Sequence, residues 1–269
     1  MLDFIAFGSG SSGNSYCLLT PERTGLLIDA GVGIRKLKKY FFDFGLSGDK
    51  ISSVIVTHDH ADHVKSVGGY SIANAADVYA TEKVHAGINN NHFVRRKIPR
   101  EHIKIIEKNR TFNIGDFEIT PFDVPHDSSD NVGYRIRYKG ITFCIMTDVG
   151  HVTDEMMSFV SEADYLVIEA NYDREMLDNG PYPEHLKQRI LGPSGHLSNK
   201  ECGEVLAEHS TPRLKHVWLC HLSKENNHPE LARKTVENIL RGYGIVAGAD
   251  FQLDVLKRQV PSGVYHLIP

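Results

Sequence analysis

No run of this 269-residue sequence approaches the roughly 18 apolar residues that a membrane span needs. The N-terminal Met1-Leu2-Asp3-Phe4 has no basic region and its apolar stretch stops at Gly8, so it does not read as a signal peptide. Cysteine is sparse. Cys17, Cys144, Cys202 and Cys220 show no Cys-x-x-Cys spacing, which argues against a disulfide framework or a thiolate zinc site and suits buried free thiols in a reducing, cytoplasmic compartment. Repeats, low-complexity tracts and Pro/Gly/Ser linkers are absent, so a single domain over residues 1–269 is expected. An excess of one charge is also missing: 30 Lys+Arg against 34 Asp+Glu leave −4, which excludes a uniformly basic nucleic-acid coat. What is present is 41% hydrophobic residues, enough for a sizeable core, and 15 histidines. Histidine specialises in metal ligation and proton transfer near neutrality.

Short β-rich runs recur at 2–7, 15–19, 25–28, 54–56, 77–80, 117–124, 132–138, 142–146, 165–169, 217–220 and 264–267. Helical candidates lie at 34–44, 63–73, 153–162, 183–191, 199–209 and 229–242. Strands dominate early and alternate with helices later, which favours a layered α/β architecture over a sandwich of strands alone or a bundle.

The densest cluster is Thr57-His58-Asp59-His60-Ala61-Asp62-His63, placed between the apolar Ser53–Val56 and a helical candidate. Three imidazoles and two carboxylates so close would crowd a plain loop, and a divalent metal resolves the crowding because both are its natural ligands. A helix-capping loop is the competing reading, but capping explains one Asp and no His. Elsewhere one pattern repeats, an apolar strand ending in a ligand type: Asp29 after 25–28, His126 after 119–125, Asp148 after 142–147 and His221 after 216–220. Strand ends at one sheet edge converge in space, which is how α/β enzymes assemble sites. One such residue alone is more often structural; four alongside the cluster are a pattern.

In this order, Asp29, His58-x-His60-x-Asp62-His63, His126, Asp148 and His221 resemble the metallo-β-lactamase superfamily of metallohydrolases. The opening Phe7-Gly8-Ser9-Gly10-Ser11-Ser12-Gly13-Asn14-Ser15, Pro125-His126-Asp127, Leu166–Asp173, Gly195-His196-Leu197-Ser198 and His221–Asn227 are similar to its WalJ/YycJ-like group of exonucleases. The resemblance implies a four-layer αββα sandwich, two mixed sheets flanked by helices, with two divalent metal ions (Zn²⁺ or Mn²⁺) at one edge. It implies His58, His60 and His126 on one metal, Asp62, His63 and His221 on the other, and Asp148 bridging. It implies that Asp62 takes part in catalysis, that Asp29 orients a ligand imidazole, and that a bridging hydroxide attacks a phosphodiester, DNA being degraded from its 5′ end. An aspartate at the bridging position, rather than a cysteine, argues against an antibiotic-hydrolysing enzyme.

His196 lies in a Gly/Pro loop and resembles the non-ligand histidine that protonates the leaving group in the ribonuclease Z branch. Glu169 and Asn171 are expected to support the ligands; an ordinary strand-end polar pair is the alternative. The Gly/Ser stretch offers Ser9, Ser11, Ser12 and Asn14 as a nest for a terminal phosphate, and a glycine-rich turn accounts for it equally well. Between Lys83 and Arg110, eight basic residues face two acidic ones, a local charge of +6 that leaves −10 elsewhere. Arg35, Lys36, Lys38 and Lys39 form a second basic group. Such patches steer a polyanion, though a charge run is commonly a solvated face. Phe93, in Asn89-Asn90-Asn91-His92-Phe93, adds an aromatic able to stack on a base. A nucleic acid partner, DNA in preference to RNA, is expected, with no membrane and an open oligomeric state. A small-molecule hydrolase of the same fold, a ribonuclease Z-like enzyme and a metal-stabilised scaffold are the competing readings.

Overall fold

A computed structural model describes all 269 residues, and the chain divides into two compact units with interleaved segments. The first unit comprises residues 1–110, 128–132 and 257–269, and the second 111–127 and 133–256.

In the first unit, β1 (Leu2–Gly8), β2 (Ser15–Leu19) and β3 (Gly25–Ile28) form an antiparallel meander. After α1 (Ile34–Asp43) comes β4 (Ser53–Ile55), parallel to β3. The short α2 (Ala61–Val64) and α3 (Val67–Asn74) lead to β5 (Asp77–Ala80), and α4 (Glu82–Asn90) leads to β6 (Ile103–Ile105). The C-terminal strand, Tyr265–Leu267, returns to pair with β1, completing a seven-stranded mixed sheet. Leu27, Val54, Val56 and Val78 from the sheet meet Leu37, Phe41, Val67, Tyr70, Val84 and Ile88 from the helices in one core. Near-continuous apolar strands such as Ser53–Ile55 suit parallel pairing, where both faces are covered.

In the second unit, β7 (Phe112–Ile114), β8 (Phe117–Asp123), β9 (Val132–Tyr138) and β10 (Ile141–Met146) lie in sequence order in the sheet. Helix α5 (Asp154–Glu162) crosses to β11 (Tyr165–Glu169), parallel to β10. Helices α6 (Arg174–Asn179), α7 (Glu184–Leu191) and α8 (Asn199–His209) precede β12 (His216–Cys220), and α9 (Pro229–Gly242) precedes β13 (Gln252–Val255). Ser198 and Glu201 start α8 with a reciprocal capping box, and Pro229 opens α9. The core joins Cys144, Leu166, Ile168, Val217 and Leu219 to Met156, Val160, Leu206 and Val236. Counting the Tyr265–Leu267 strand as β14, two mixed seven-stranded sheets with helices are the expected fold class.

Several details differ from the sequence reading. The helix expected at 63–73 is broken between α2 and α3. The Asp62 carbonyl accepts the Asn14 N–H at 2.7 Å and the Ser66 N–H donates to the Ala30 carbonyl at 2.9 Å, so the hydrogen bond that would continue the helix is replaced by two tertiary ones. Helices α4 and α6 and strands β6, β7 and β13 add to the expected elements; each strand among them is only three or four residues long. All four cysteines are buried free thiols, pushed up in pKa by burial. No helix is long and apolar enough to cross a membrane.

Candidate metal centre

In the first unit, the ligand-type residues follow β3 and β4. Asp29 follows β3 in a left-handed backbone conformation (φ 58°), which a non-glycine residue adopts at a cost on the order of 1 kcal/mol. Its carboxylate is fully buried. Oδ1 accepts the Thr57 N–H at 2.8 Å, and Oδ2 accepts the Thr57 hydroxyl at 2.9 Å and the Nδ1–H of His63 at 2.8 Å. Because the Thr57 hydroxyl gives its proton to Asp29, it is an acceptor for the Nδ1–H of His58, 3.0 Å away. Asp29 therefore orients two imidazoles, one directly and one through a hydroxyl. The ring of His58 lies 4.8 Å from that of His60 and 4.1 Å from that of His63, centroid to centroid. Asp59 turns away from them: its carboxylate accepts the Ser129 N–H at 3.1 Å and hydroxyl at 2.7 Å.

The Gly/Ser segment before β2 adjoins these residues. Oδ1 of Asn14 accepts the Gly10 N–H at 2.7 Å, which fixes the amide. Its Nδ2 then lies 2.8 Å from Nε2 of His63 and 3.2 Å from Oδ2 of Asp62. Ser9 is buried with its hydroxyl 2.9 Å from that of Tyr16, whereas Ser11 and Ser12 are exposed. Of the four residues read as a phosphate nest, two thus face inward and two face solvent.

In the second unit, His126 follows β8, Asp148 follows β10, Glu169 ends β11, and His221 follows β12. Asp148 (φ 58°) and His221 (φ 52°) repeat the left-handed conformation of Asp29. Glu169 is fully buried. Its Oε1 accepts the Nδ1–H of both His196 and His221, each at 2.9 Å, and its Oε2 accepts the backbone N–H of Val149 at 2.8 Å and of Leu197 at 3.0 Å. Burial alone would push this carboxyl up; the charge and hydrogen bond of His196, with that of His221, hold it down at about 2. His126 gives its Nδ1–H to the Gly195 carbonyl at 3.0 Å, and its Nε2 lies 3.7 Å from Oδ1 of Asp148. Asn171 donates to the His221 carbonyl at 2.8 Å, and Asn227 donates to the Asn171 carbonyl at 3.1 Å. Asp148, Glu169, His196 and His221 each present a donor atom within 4.8 Å of the others.

The donor chemistry fits a divalent metal. His58, His63, His126 and His221 are each anchored through Nδ1 to a hydroxyl, carboxylate or carbonyl, which fixes the tautomer whose Nε2 carries the lone pair. Thr57 escaped the sequence reading because a threonine beside three histidines carries no ligand signal; only its two-way hydrogen bond reveals it. Asn227 was visible only as part of the run beginning at His221. His228 caps α9, accepting the Glu230 N–H at 3.3 Å, so it has a structural task of its own.

A family model described as a beta-lactamase superfamily domain matches residues 24–221. The exodeoxyribonuclease WalJ of Streptococcus pneumoniae is 37% identical over 250 residues, 93% of this chain and 92% of that protein. The exodeoxyribonuclease YycJ of Bacillus anthracis is 32% identical over 266 residues, 99% of each. Among solved structures, the metallo-beta-lactamase fold protein YhfI of Bacillus subtilis aligns with a TM-score of 0.73 at 18% identity, covering 98% of both chains.

Proposed function

The chain belongs to the beta-lactamase superfamily, and from that membership we propose that it is a metal-dependent nuclease that shortens DNA from a 5′ end. The observation that carries the proposal is the pair of buried carboxylates, Asp29 and Glu169, that hold histidines by Nδ1 and leave Nε2 atoms as donors. Such an outer layer sets ligand orientation and basicity, and a chain with only a structural use for its histidines has no need of it. The likeness to two exodeoxyribonucleases along nearly the whole chain supports the reaction class.

In this reading His58, His60 and His126 would hold one ion and Asp62, His63 and His221 a second, with Asp148 available to both. Two divalent ions, Zn²⁺ or Mn²⁺, would supply an activated water and neutralise charge gathering on the scissile phosphate. The chain's own residues do the rest. Glu169 keeps the Nδ1 of His196 protonated, so Nε2 is the atom that carries a proton to the leaving oxygen. Asn171 and Asn227 hold the loop of His221 in register. Ser11 and Ser12, the exposed members of the Gly/Ser segment, are the ones available to a terminal phosphate.

The test is digestion of end-labelled DNA and RNA, with and without a 5′ phosphate, by protein reconstituted with Zn²⁺ or Mn²⁺. Mononucleotides released from phosphorylated DNA, and their loss in His60→Ala, are expected. Thioester turnover with no nucleic-acid cleavage would overturn the proposal in favour of a small-molecule hydrolase.

A further inference from the structure

Phe93 is 70% exposed, although the next residue, Val94, is buried. An exposed aromatic on a loose loop would signify little, but this loop is held at both ends. Helix α4 is pressed against Asp59: a Cβ on Gly87 would lie 1.9 Å from the Asp59 carboxylate. At the end of that helix Asn91 donates to the Asp59 carbonyl at 2.8 Å, while its Oδ1 accepts the Phe93 N–H at 2.9 Å. Its carbonyl accepts the Val94 N–H at 3.1 Å and the Lys97 ammonium at 3.0 Å. The far side rests on α3, where a Cβ on Gly68 would lie 1.8 Å from the Arg96 carbonyl. The turn therefore projects Phe93, Arg95 and Arg96 into solvent from a fixed base, and that base is Asp59, the residue between His58 and His60.

Charge separates this turn from the end of the basic segment. Lys104, Lys108 and Arg110 pair with Asp77, Asp130 and Glu107, whereas Arg95 and Arg96, like Lys83 and Arg100, are exposed and pair with no carboxylate. An exposed aromatic with two unneutralised guanidinium groups two and three residues further on suits a polyanion with flat faces, the ring taking a base and the guanidiniums its phosphates.

We propose that Phe93, Arg95 and Arg96 form a stacking platform for an unpaired nucleotide, beside the His58–His60 loop, with the two arginines on the adjoining phosphates. The inference rests on the nuclease reading and adds to it that the strand is held single-stranded next to the metal ligands. A base reaches the ring only when it is out of a duplex, so a frayed or single-stranded end is the preferred substrate. The fixed turn lowers the ordering cost of binding.

The test uses full-length His60→Ala protein and the fluorescence anisotropy of a fluorescein-labelled short thymidine strand. Phe93→Ala in that background is expected to weaken binding roughly five- to tenfold, the low end for one stacked base, and Phe93→Trp to retain it. Replacing Arg95 and Arg96 by Gln together is expected to flatten the plot of log affinity against log salt by about 1.4, two contacts at about 0.7 each. Binding unchanged in Phe93→Ala overturns the platform, and so does an equal loss in Phe93→Ala and Phe93→Trp. Digestion by the otherwise wild-type chain separates this inference from its premise. Cleavage with a KM unmoved by Phe93→Ala removes the platform and leaves the nuclease. Phe93-dependent binding by a protein that cleaves no DNA removes the nuclease and leaves the platform.

Discussion

Asp29 and Glu169 are both fully buried carboxylates whose partners include histidine Nδ1 atoms, yet they reach those atoms differently. Asp29 has a short side chain on a left-handed turn. It touches one imidazole and governs a second through the Thr57 hydroxyl. Glu169 is longer and sits at the end of an extended strand, from which one oxygen reaches two imidazoles and the other takes two backbone amides. Those amides belong to Val149 and Leu197, the residues that follow Asp148 and His196. Glu169 therefore shapes two loops as well as two rings, whereas Asp29 orients rings through a single neighbouring loop. The difference predicts unequal consequences when each is removed.

The largest effect is expected for Glu169→Ala. It leaves two backbone N–H groups and two imidazole N–H groups buried without their acceptor, and breaking a buried charged network in this way costs about 3–5 kcal/mol. Chemical denaturation should show that loss, and DNA digestion should fall by about a hundredfold as the ligand His221 and the proton-carrying His196 lose their anchor. Asp29→Asn comes next. The amide keeps the shape but loses the charge, and its NH₂ group cannot accept a proton from His63. Metal affinity by competition with a chelating dye should drop about 10- to 100-fold with the fold intact. A larger stability loss in Asp29→Asn than in Glu169→Ala would reverse the ranking.

How much of this was readable in advance follows from what each residue signals by itself. The His58–His63 cluster is local, so spacing alone exposes it. Asp29, Asp148 and His221 were legible because each ends an apolar strand, and a strand end in an α/β fold is a place for ligands. Their left-handed backbones were not legible, since Asp and His adopt that conformation more readily than most residues but still at only a minority of their positions. The break between α2 and α3 was hidden too, because it is made by Asn14 and Ala30, distant in sequence. Short edge strands such as β6 and β7 carry too few residues for periodicity to register. Within the Gly/Ser segment, composition could not tell the inward Ser9 and Asn14 from the outward Ser11 and Ser12.

Thr57→Val isolates the relay on the Asp29 side. The isosteric change removes the acceptor for His58 Nδ1–H and the donor to Asp29 Oδ2, but spares the Thr57 backbone bond and His63. Stability should fall by roughly 1–2 kcal/mol and metal affinity by about tenfold or less. Glu169 reaches its imidazoles with no such intermediary; the hydroxyl of Thr147 in the second unit donates instead to Oδ2 of Asp148 at 2.7 Å. A Thr57→Val protein with unchanged affinity would mean that Asp29 acts on His63 alone.

The smallest effect concerns histidines outside the centre, one in each unit, which lack a buried acid. Burial lowers the pKa of His85, whose hydrogen bond from Nε2 goes to the Lys104 carbonyl at 3.1 Å. Burial also lowers that of His216, and Asp254 at 2.9 Å, itself half exposed, opposes the shift without reversing it. For an imidazole with a depressed folded pKa, the unfolded chain binds the proton more readily. Stability from these sites is therefore fully present above the ordinary imidazole value near 6.5 and is lost as pH falls through the lower folded value. Urea midpoints of metal-free protein should decline from pH 7.5 to pH 5.5, and a protein with both His85→Asn and His216→Asn should decline less. An equal decline in that double variant would show that the burial of these two imidazoles does not set the pH dependence.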